Sequence, residues 1–202
     1  MAILENREAI IGYMKENGVE LSIAPDGEVF TLPGPEDYET EFGRLREKVD
    51  EERARGREIV VVMGIGFVGA VMAAVVADSA DRHSGEPKKF VIGMQRPSPR
   101  SYWKIPWIKK GIAPVKAEDP EVAPMIRRCV TEKKTLTATF VYDVLKLADV
   151  VVVDVQCDYL KEALGNVVEG RAEIGALEEA LRVIGEKIEP GCLVLIETTV
   201  PP

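Results

Sequence analysis

The sequence predicts an α/β protein built on a doubly wound parallel sheet, preceded by an N-terminal helix, hairpin and helix. The first observation is a β-branched run at 59–63 that leads into the glycine motif GIGFVG and then into apolar residues at helical spacing. A second apolar run, KKFVIGM, lies at 88–94. The third observation is the valine run Val150–Val153, which is typical of a parallel strand covered on both faces. Such strands alternating with helical segments favour βαβ units.

Each glycine of the GIGFVG motif has a separate physical role. Gly64 can adopt the backbone angles of a tight turn, Gly66 has no side chain to keep a pyrophosphate from the main chain, and Gly69 lets the helix pack closely on the strand. The free N–H groups at the start of the helix then face the phosphates. Strand, motif and helix together predict a Rossmann-like dinucleotide-binding turn. The alternative is a glycine-rich turn that binds nothing.

Composition limits the classes of function. The 202 residues are 46% hydrophobic and 30% charged, as in a soluble globular protein, and the net charge is −8. A negative charge of this size argues against nucleic acid or an acidic membrane surface as partner. No apolar run approaches the roughly 20 residues that span a bilayer, and the N-terminus lacks the layout of a signal peptide. We therefore expect a cytoplasmic protein with no membrane partner.

The numbers and positions of histidine and cysteine exclude further classes of active site and metal site. His83 is the only histidine, which excludes a histidine-based metal cluster and a Ser–His or Cys–His hydrolase within this chain. Its polar surroundings at 78–89 predict a solvated loop. The three cysteines, Cys129, Cys157 and Cys192, are widely spaced and form no CxxC motif, so neither a disulfide framework nor a zinc site is indicated.

The remaining elements follow from periodicity and turn chemistry. We expect residues 1–57 to form an appendage for packing or subunit contact, and residues 58–202 to form the nucleotide-binding domain. Asp119 with Pro120 is predicted to cap a helix. The predicted elements are a helix at 2–17, a hairpin turning at Pro25–Gly27, and helices at Glu36–Arg55, Asp119–Glu132 and Ile174–Ile188. Between them lie a short strand or extended link at LTATF, a helical turn at Tyr142–Leu147, a loop with Gly165, Asn166 and Gly170, and a buried strand at CLVLIETT.

The end of the second sheet strand bears on the choice of cofactor. In a dinucleotide-binding βαβ unit, an acidic residue at this point accepts hydrogen bonds from the ribose. Here the strand ends in Gln95 and Arg96. Gln95 can bind a ribose but has no carboxylate to repel a 2′-phosphate, and Arg96 could attract one, so NADP is an option beside NAD. Trp103 and Trp107 in the following proline-rich loop anchor the loop to the core or line a nucleotide or subunit surface.

A further group of polar residues follows the valine run. Asp154, Gln156, Cys157 and Asp158 come at the carboxyl end of that strand. Ligands of open parallel sheets bind at the carboxyl ends of the strands, so these residues are placed to meet a cofactor.

Four stretches resemble the UDP-glucose/GDP-mannose dehydrogenase family, the NAD-dependent nucleotide-sugar 6-dehydrogenases. They are VVMGIGFVGAVMAAVVA, LTATF, KLADVVVVDV and LEEALRVIGEKIEPGCLVLIETTVPP. The first is shared by many Rossmann enzymes. The last is more specific, because it looks like the family segment KPGxLVxxESTVPPGT. The resemblance covers residues 58–202 and leaves the first 57 unexplained.

The resemblance implies a fold, a cofactor and a chemistry. Family members have an NAD domain, a helical dimerising middle and a UDP-sugar domain, and they oxidise the primary alcohol of the sugar twice, through a cysteine thiohemiacetal, to an acid. It implies NAD as cofactor, a nucleotide-sugar substrate, a homo-oligomer and a place in polysaccharide biosynthesis. The residues it implies at the cofactor site are Gly64, Ile65, Gly66, Phe67, Val68 and Gly69 at the pyrophosphate, Gln95 and Arg96 at the adenosine ribose, Val155, Gln156 and Cys157 on the nicotinamide side, and Glu197 at the site edge. Thr199 matches the family threonine that helps to hold the catalytic water.

Departures from the family pattern shape the expected activity. Gln95 replaces the acidic ribose ligand, and VQCD at 155–158 replaces the family's VPTP loop. The sequence ends before the family's catalytic Lys, Asn and nucleophilic Cys, and Cys129 and Cys192 are expected to be buried apolar residues. We therefore expect binding without turnover by this chain. The alternatives are a non-catalytic nucleotide-binding or assembly module and, less favoured because TTVPP is unexplained by it, a methyltransferase.

Overall fold

A computed structural model describes residues 12, 18–160 and 171–198. The predicted helix at 2–17 lies outside these residues except for Gly12. The predicted glycine-containing loop at 165–170 and the predicted catalytic residue Thr199 also lie outside them.

The described chain begins with the predicted hairpin, formed by β1 (Leu21–Ile23) and β2 (Val29–Thr31). Gly27 takes a φ of 87° and donates its N–H to the Ala24 carbonyl at 2.8 Å, which closes the turn. The helix α1 (Pro35–Ala54) follows within one or two residues of its predicted bounds. The hairpin is held to the rest of the chain by the buried Ser22 hydroxyl, which accepts the Trp103 N–H at 3.0 Å.

Five parallel strands and their connections form the main sheet. In chain order the elements are β3 (Glu58–Met63), α2 (Phe67–Asp78), β4 (Lys89–Met94), α3 (Lys104–Lys109), α4 (Val122–Thr131), β5 (Leu136–Thr139), a 3₁₀ helix (Tyr142–Leu147), β6 (Val150–Val153), β7 (Asp158–Leu160), β8 (Arg171–Glu173), α5 (Gly175–Lys187) and β9 (Leu193–Ile196). The strand order is β5-β4-β3-β6-β9. Val60 is in register with Val91 on one side and Val150 on the other, so β3 lies at the centre. This order confirms the predicted doubly wound Rossmann-like sheet.

Alternate side chains of the strands enter two separate cores. Val60, Val62 and Val91 pack with α2 and α4 on one face of the sheet. Ile59 and Val61 pack on the other face with α1 and α5. Burial on both faces explains why these strands read as continuous apolar runs.

The helix α1 packs into the same core as the sheet. Leu45 and Val49 are almost completely buried with Ile59 and Val61. The carboxylate of Glu52 is fully buried and accepts a hydrogen bond from Arg57 at 2.6 Å, which ties the end of α1 to the start of β3. The boundary between appendage and domain near residue 57 stays a prediction.

Four local predictions need correction. The helix α4 begins at Val122 rather than 119, because Asp119 Oδ1 accepts the Glu121 N–H at 2.9 Å in a turn before the helix. Pro106 lies within the short helix α3, where we expected an irregular loop. The antiparallel pair of β7 and β8 stands where only a loop was expected. β9 is not a buried strand, because Leu193 is 53% exposed and Ile196 48% exposed at the edge of the sheet.

Among the described residues, no helix is both long enough and apolar enough to cross a membrane.

A partly buried ion pair joins α2 and α4 on one face of the sheet. Asp78 at the end of α2 accepts hydrogen bonds from Arg128 of α4 at 2.8 and 2.9 Å, and Lys133 lies 2.8 Å from the same carboxylate. These two cations hold the pKa of Asp78 well below its usual range, against a smaller opposing effect of burial. The pair fixes the far end of the helix that begins at the glycine motif.

We predict that Asp78→Asn lowers the free energy of unfolding at neutral pH by about 1 to 3 kcal/mol, because it removes a charge-assisted hydrogen-bonded pair. Since the folded-state pKa is lowered, the stabilisation is complete above the unfolded pKa of about 4 and is lost as pH falls below it. Urea unfolding at about pH 7 and about pH 3 measures this. The difference between wild type and variant should shrink at the lower pH, and exposed Asp50→Asn should change neither value. A difference that persists at low pH would contradict the assignment.

Candidate functional site: a cleft at the carboxyl edge of the sheet

The candidate site is a cleft at the point where the strand order reverses. From β3 the chain runs first to β4 and β5 on one side, and later to β6 and β9 on the other. Ligands of open α/β sheets bind at this switch point, outside the carboxyl ends of the strands. A cleft of about 650 Å³ opens there. Six of the predicted cofactor-site residues line it: Gly64, Gly66, Gln95, Arg96, Val155 and Gln156.

The glycine turn has the geometry that the motif predicts. Gly64 has a φ of 98°, and a Cβ there would lie 2.5 Å from the Asp154 carbonyl oxygen. A Cβ at Gly69 would lie 1.8 Å from the Gly64 carbonyl oxygen. At Gly66, by contrast, no protein atom lies within 4 Å of the Cβ position. Two glycines therefore serve close packing, and the third leaves free space beside the main chain.

The start of α2 closes one side of this space. Gly66 is the N-cap residue of α2, and no side chain caps the helix there. The first N–H groups of a helix have no intrahelical partner, so those of Phe67 and Val68 are available to a ligand. Both side chains are unusually exposed for large apolar residues, at 61% and 57%. The open space and the free donors together fit a pyrophosphate group.

Ile65 and Gln95 fix the conformation of the turn. The Ile65 side chain is completely buried, so it does not line the cleft. Its N–H donates to Gln95 Oε1 at 3.2 Å. The Gln95 N–H in turn donates to the Thr139 carbonyl at 3.0 Å. Gln95 therefore holds the glycine turn, a role that sequence reasoning missed when it assigned Gln95 to the ribose alone.

Lys104 is a cleft residue that the sequence did not identify. It lines the cleft beside Gln95 and Arg96, and its Nζ lies 3.4 Å from the Ile65 carbonyl oxygen. Burial lowers the pKa of Lys104, and the nearby charge of Arg100 lowers it further. Lys104 is not ion-paired with any carboxylate in the described part of the chain. The proline-rich stretch around it gave no periodic signal from which its position could be predicted.

Asp154 lies under the glycine turn. Its Oδ2 is buried and has no hydrogen-bond partner among the described residues. Burial raises the pKa of this carboxyl group, and the charge of Glu197 raises it further. Of the residues after β6 that were expected to meet a cofactor, Asp154 and Gln156 line the cleft together with Val155, whereas Cys157 does not line it.

The remaining predicted site residues are distributed around the cleft. Cys157 is partly buried and packs against the core on the α5 side of the sheet. Glu197 is exposed, and its N–H donates to the Val153 carbonyl at 3.1 Å. The neighbouring Thr198, which was not predicted, donates its hydroxyl to the Val155 carbonyl and so ties the end of β9 to the cleft. Thr199 lies outside the described residues, so its predicted role is untested.

The cysteines differ in burial. Cys129 is completely buried, as expected, and burial together with the nearby Asp78 raises the pKa of its thiol to about 11. Cys192 is only partly buried, which corrects the expectation that it is a core residue. Within 18–160 and 171–198, no group of three or more His, Cys, Asp or Glu side chains is placed to hold a metal ion.

Comparison with solved structures finds proteins that are similar to this chain in fold. An NDP-N-acetyl-D-galactosaminuronic acid dehydrogenase from Methanosarcina mazei Go1 matches 77% of this chain, with a TM-score of 0.60 and 27% identity. A UDP-D-ManNAc dehydrogenase from Pyrococcus horikoshii matches 71%, with a TM-score of 0.53 and 28% identity. The chain resembles the nucleotide-sugar dehydrogenases.

The likeness has a limited extent. This chain covers 30% of the Methanosarcina structure and 29% of the Pyrococcus structure. A GDP-mannose dehydrogenase from Pseudomonas aeruginosa, at 24% identity and a TM-score of 0.54, supports the fold alone. No protein-family model and no curated protein matches the sequence.

We predict that Gly69→Ala lowers the free energy of unfolding by about 3 kcal/mol or more, because its Cβ would collide with the Gly64 carbonyl. Gly66→Ala should cost less than about 1 kcal/mol, since its Cβ enters open space. Chemical denaturation of both variants measures the difference. Equal losses of stability would contradict the division of roles between the two glycines.

Proposed function

We propose that this chain is the nicotinamide-dinucleotide-binding domain of a nucleotide-sugar 6-dehydrogenase, which oxidises the primary alcohol of a nucleotide sugar. The observation that carries the proposal is the open space at Gly66, framed by the tight packing of Gly64 and Gly69 where β3 and β6 end. The substrate class is supported by likeness at 27% and 28% identity to dehydrogenases named for NDP- and UDP-linked sugars.

The residues of the cleft fit an extended dinucleotide. The free N–H groups at the start of α2 would bind the pyrophosphate, and the absence of a side chain at Gly66 lets it approach the main chain. Gln95 and Arg96 would lie at the adenosine end. Val155 and Gln156, across the switch point, would lie on the nicotinamide side. When bound, NAD accepts a hydride from the sugar alcohol.

We propose that this chain alone binds the cofactor and does not turn over substrate. Cys129 is unsuited to act as the nucleophile, since its thiol is completely buried and its raised pKa keeps it protonated. Four further proposals rest on the resemblance alone. They are a role for Thr199 in holding a catalytic water, a homo-oligomeric state, a cytoplasmic location and a role in polysaccharide biosynthesis.

A non-catalytic nucleotide-binding module is the second candidate. The buried, unreactive thiol of Cys129 favours this module as well. Both candidates use the same cofactor cleft. The two differ in whether a nucleotide sugar is also recognised. UDP-glucose or GDP-mannose that binds more tightly in the presence of the cofactor supports the dehydrogenase.

We predict that NAD or NADP binds saturably to the wild-type chain in isothermal titration calorimetry. In Gly66→Val the affinity should fall at least tenfold, because the valine side chain fills the free space. Gly43→Val is the matched control. It places the same side chain in open space on α1, away from the cleft, and should bind as wild type does. S-adenosylmethionine should not bind.

Two results would contradict the proposal. One is the failure of the folded wild-type chain to bind either nicotinamide dinucleotide. The other is an equal loss in Gly66→Val and Gly43→Val, because the effect would then arise from altered stability rather than from the glycine turn. Circular dichroism of each variant establishes that it is folded.

A further inference from the structure

The loop after β4, residues 95–101, carries cationic side chains with no acidic partner. Arg96 and Arg100 are both exposed, and neither forms an ion pair with a described carboxylate. Arg96 and Lys104 line the cofactor cleft together with Gln95. In a protein of net charge −8, Arg96 and Lys104 place two positive charges without a described acidic partner at one end of the cleft, and Arg100 adds a third in the same loop.

The acidic groups of the cleft lie on other elements. Asp154 follows β6, beneath the glycine turn, and Glu179 belongs to α5. Lys187 of α5 also lines the cleft, but its charge is engaged by Asp143 at 2.9 Å. Negative charge in the described cleft therefore comes from the β6 and α5 side, whereas the end of β4 carries only positive charge.

The loop is held in one conformation by its own hydrogen bonds. The hydroxyls of Ser98 and Ser101 lie 2.7 Å apart, and the Ser101 hydroxyl donates to the Arg96 carbonyl at 3.1 Å. Trp103 Nε1 donates to the Arg100 carbonyl at 3.0 Å. The backbone on either side of the two arginines is thus fixed before any ligand binds. Such preorganisation reduces the entropic cost of binding.

The position of these cations defines which part of a dinucleotide they would meet. The residue that ends the second strand of a dinucleotide-binding βαβ unit lies beside the ribose of the adenosine. A carboxylate there binds the 2′-hydroxyl and repels a 2′-phosphate, whereas an arginine nearby accommodates the phosphate. Here Gln95 stands at that position, its Oε1 is engaged by the Ile65 N–H, and Arg96 is adjacent.

We infer that Arg96, Lys104 and the loop that carries Ser98, Arg100 and Ser101 form a subsite for a 2′-phosphate, so that this chain prefers NADP to NAD. The inference rests on the proposed function, because it assumes that a dinucleotide occupies the cleft. The partly buried ammonium group of Lys104 has a lowered pKa, and an incoming phosphate dianion would stabilise its charged form.

The test compares NADP and NAD by calorimetry at low ionic strength. We expect NADP to bind at least tenfold more tightly, and its affinity to fall more steeply with added salt than that of NAD. In Arg96→Gln and in Lys104→Gln, the loss of NADP affinity should be at least fivefold greater than any loss of NAD affinity, because only NADP carries the 2′-phosphate. Arg82→Gln removes an exposed arginine that has no described acidic partner and does not line the cleft, and it should change neither affinity.

A second variant tests the missing carboxylate. Gln95→Glu keeps an oxygen acceptor for the Ile65 N–H, so the glycine turn should be retained. It also introduces a negative charge beside the 2′ position, and should therefore reverse the preference in favour of NAD. Competition by 2′-AMP but not by 3′-AMP would place the phosphate at the 2′ position.

The outcomes separate this inference from the proposed function. Equal affinity for NAD and NADP, or a preference for NAD, would overturn the 2′-phosphate subsite and leave the proposed function standing. A preference for NADP that survives Arg96→Gln and Lys104→Gln, or equal competition by 3′-AMP, would overturn the assignment of these residues. Binding of neither dinucleotide would overturn both.

Discussion

The site depends on the close contact between the Gly64 carbonyl and the main chain at Gly69. Because a Cβ at Gly69 would lie 1.8 Å from that carbonyl, the first turn of α2 can approach the end of β3 only if residue 69 has no side chain. Asp154 at the end of β6 packs against both glycines and closes the arrangement from below. The free space at Gly66 follows from this packing, since it fixes the direction in which the chain leaves the strand.

The rest of the fold supports that contact. β3 is the central strand, so the turn is held by neighbours on both sides, with the Gly64 N–H donating to the Met94 carbonyl and the Asp154 N–H donating to the Met63 carbonyl. Gln95 links the turn to the end of β4 through the Ile65 N–H. At the far end of α2, Asp78 and Arg128 fix the helix against α4. A ligand would therefore meet a preformed surface, which favours tight binding.

Local sequence patterns predicted the sheet and the glycine turn because each arises from a short stretch. The strands at 59–63 and 150–153 are continuously apolar because both faces of the sheet are covered. The spacing of Gly64 and Gly69 follows from steric contacts that leave no room for a side chain. The exposure of β9 could not be read in this way, since an apolar edge strand and an apolar buried strand have the same sequence. Lys104 lines the cleft, and Thr198 contacts the cleft residue Val155, through tertiary packing that no local pattern encodes.

The most direct test of a dinucleotide at the glycine turn is a backbone amide NMR titration of the chain with NADP. We expect the largest shift changes at Gly64–Val68, at Gln95 and Arg96, and at Val155 and Gln156, which surround the cleft at the carboxyl edge of the sheet. Changes concentrated instead at the separate cleft lined by Lys48, Phe90 and Thr137, with none at the glycine turn, would contradict the account.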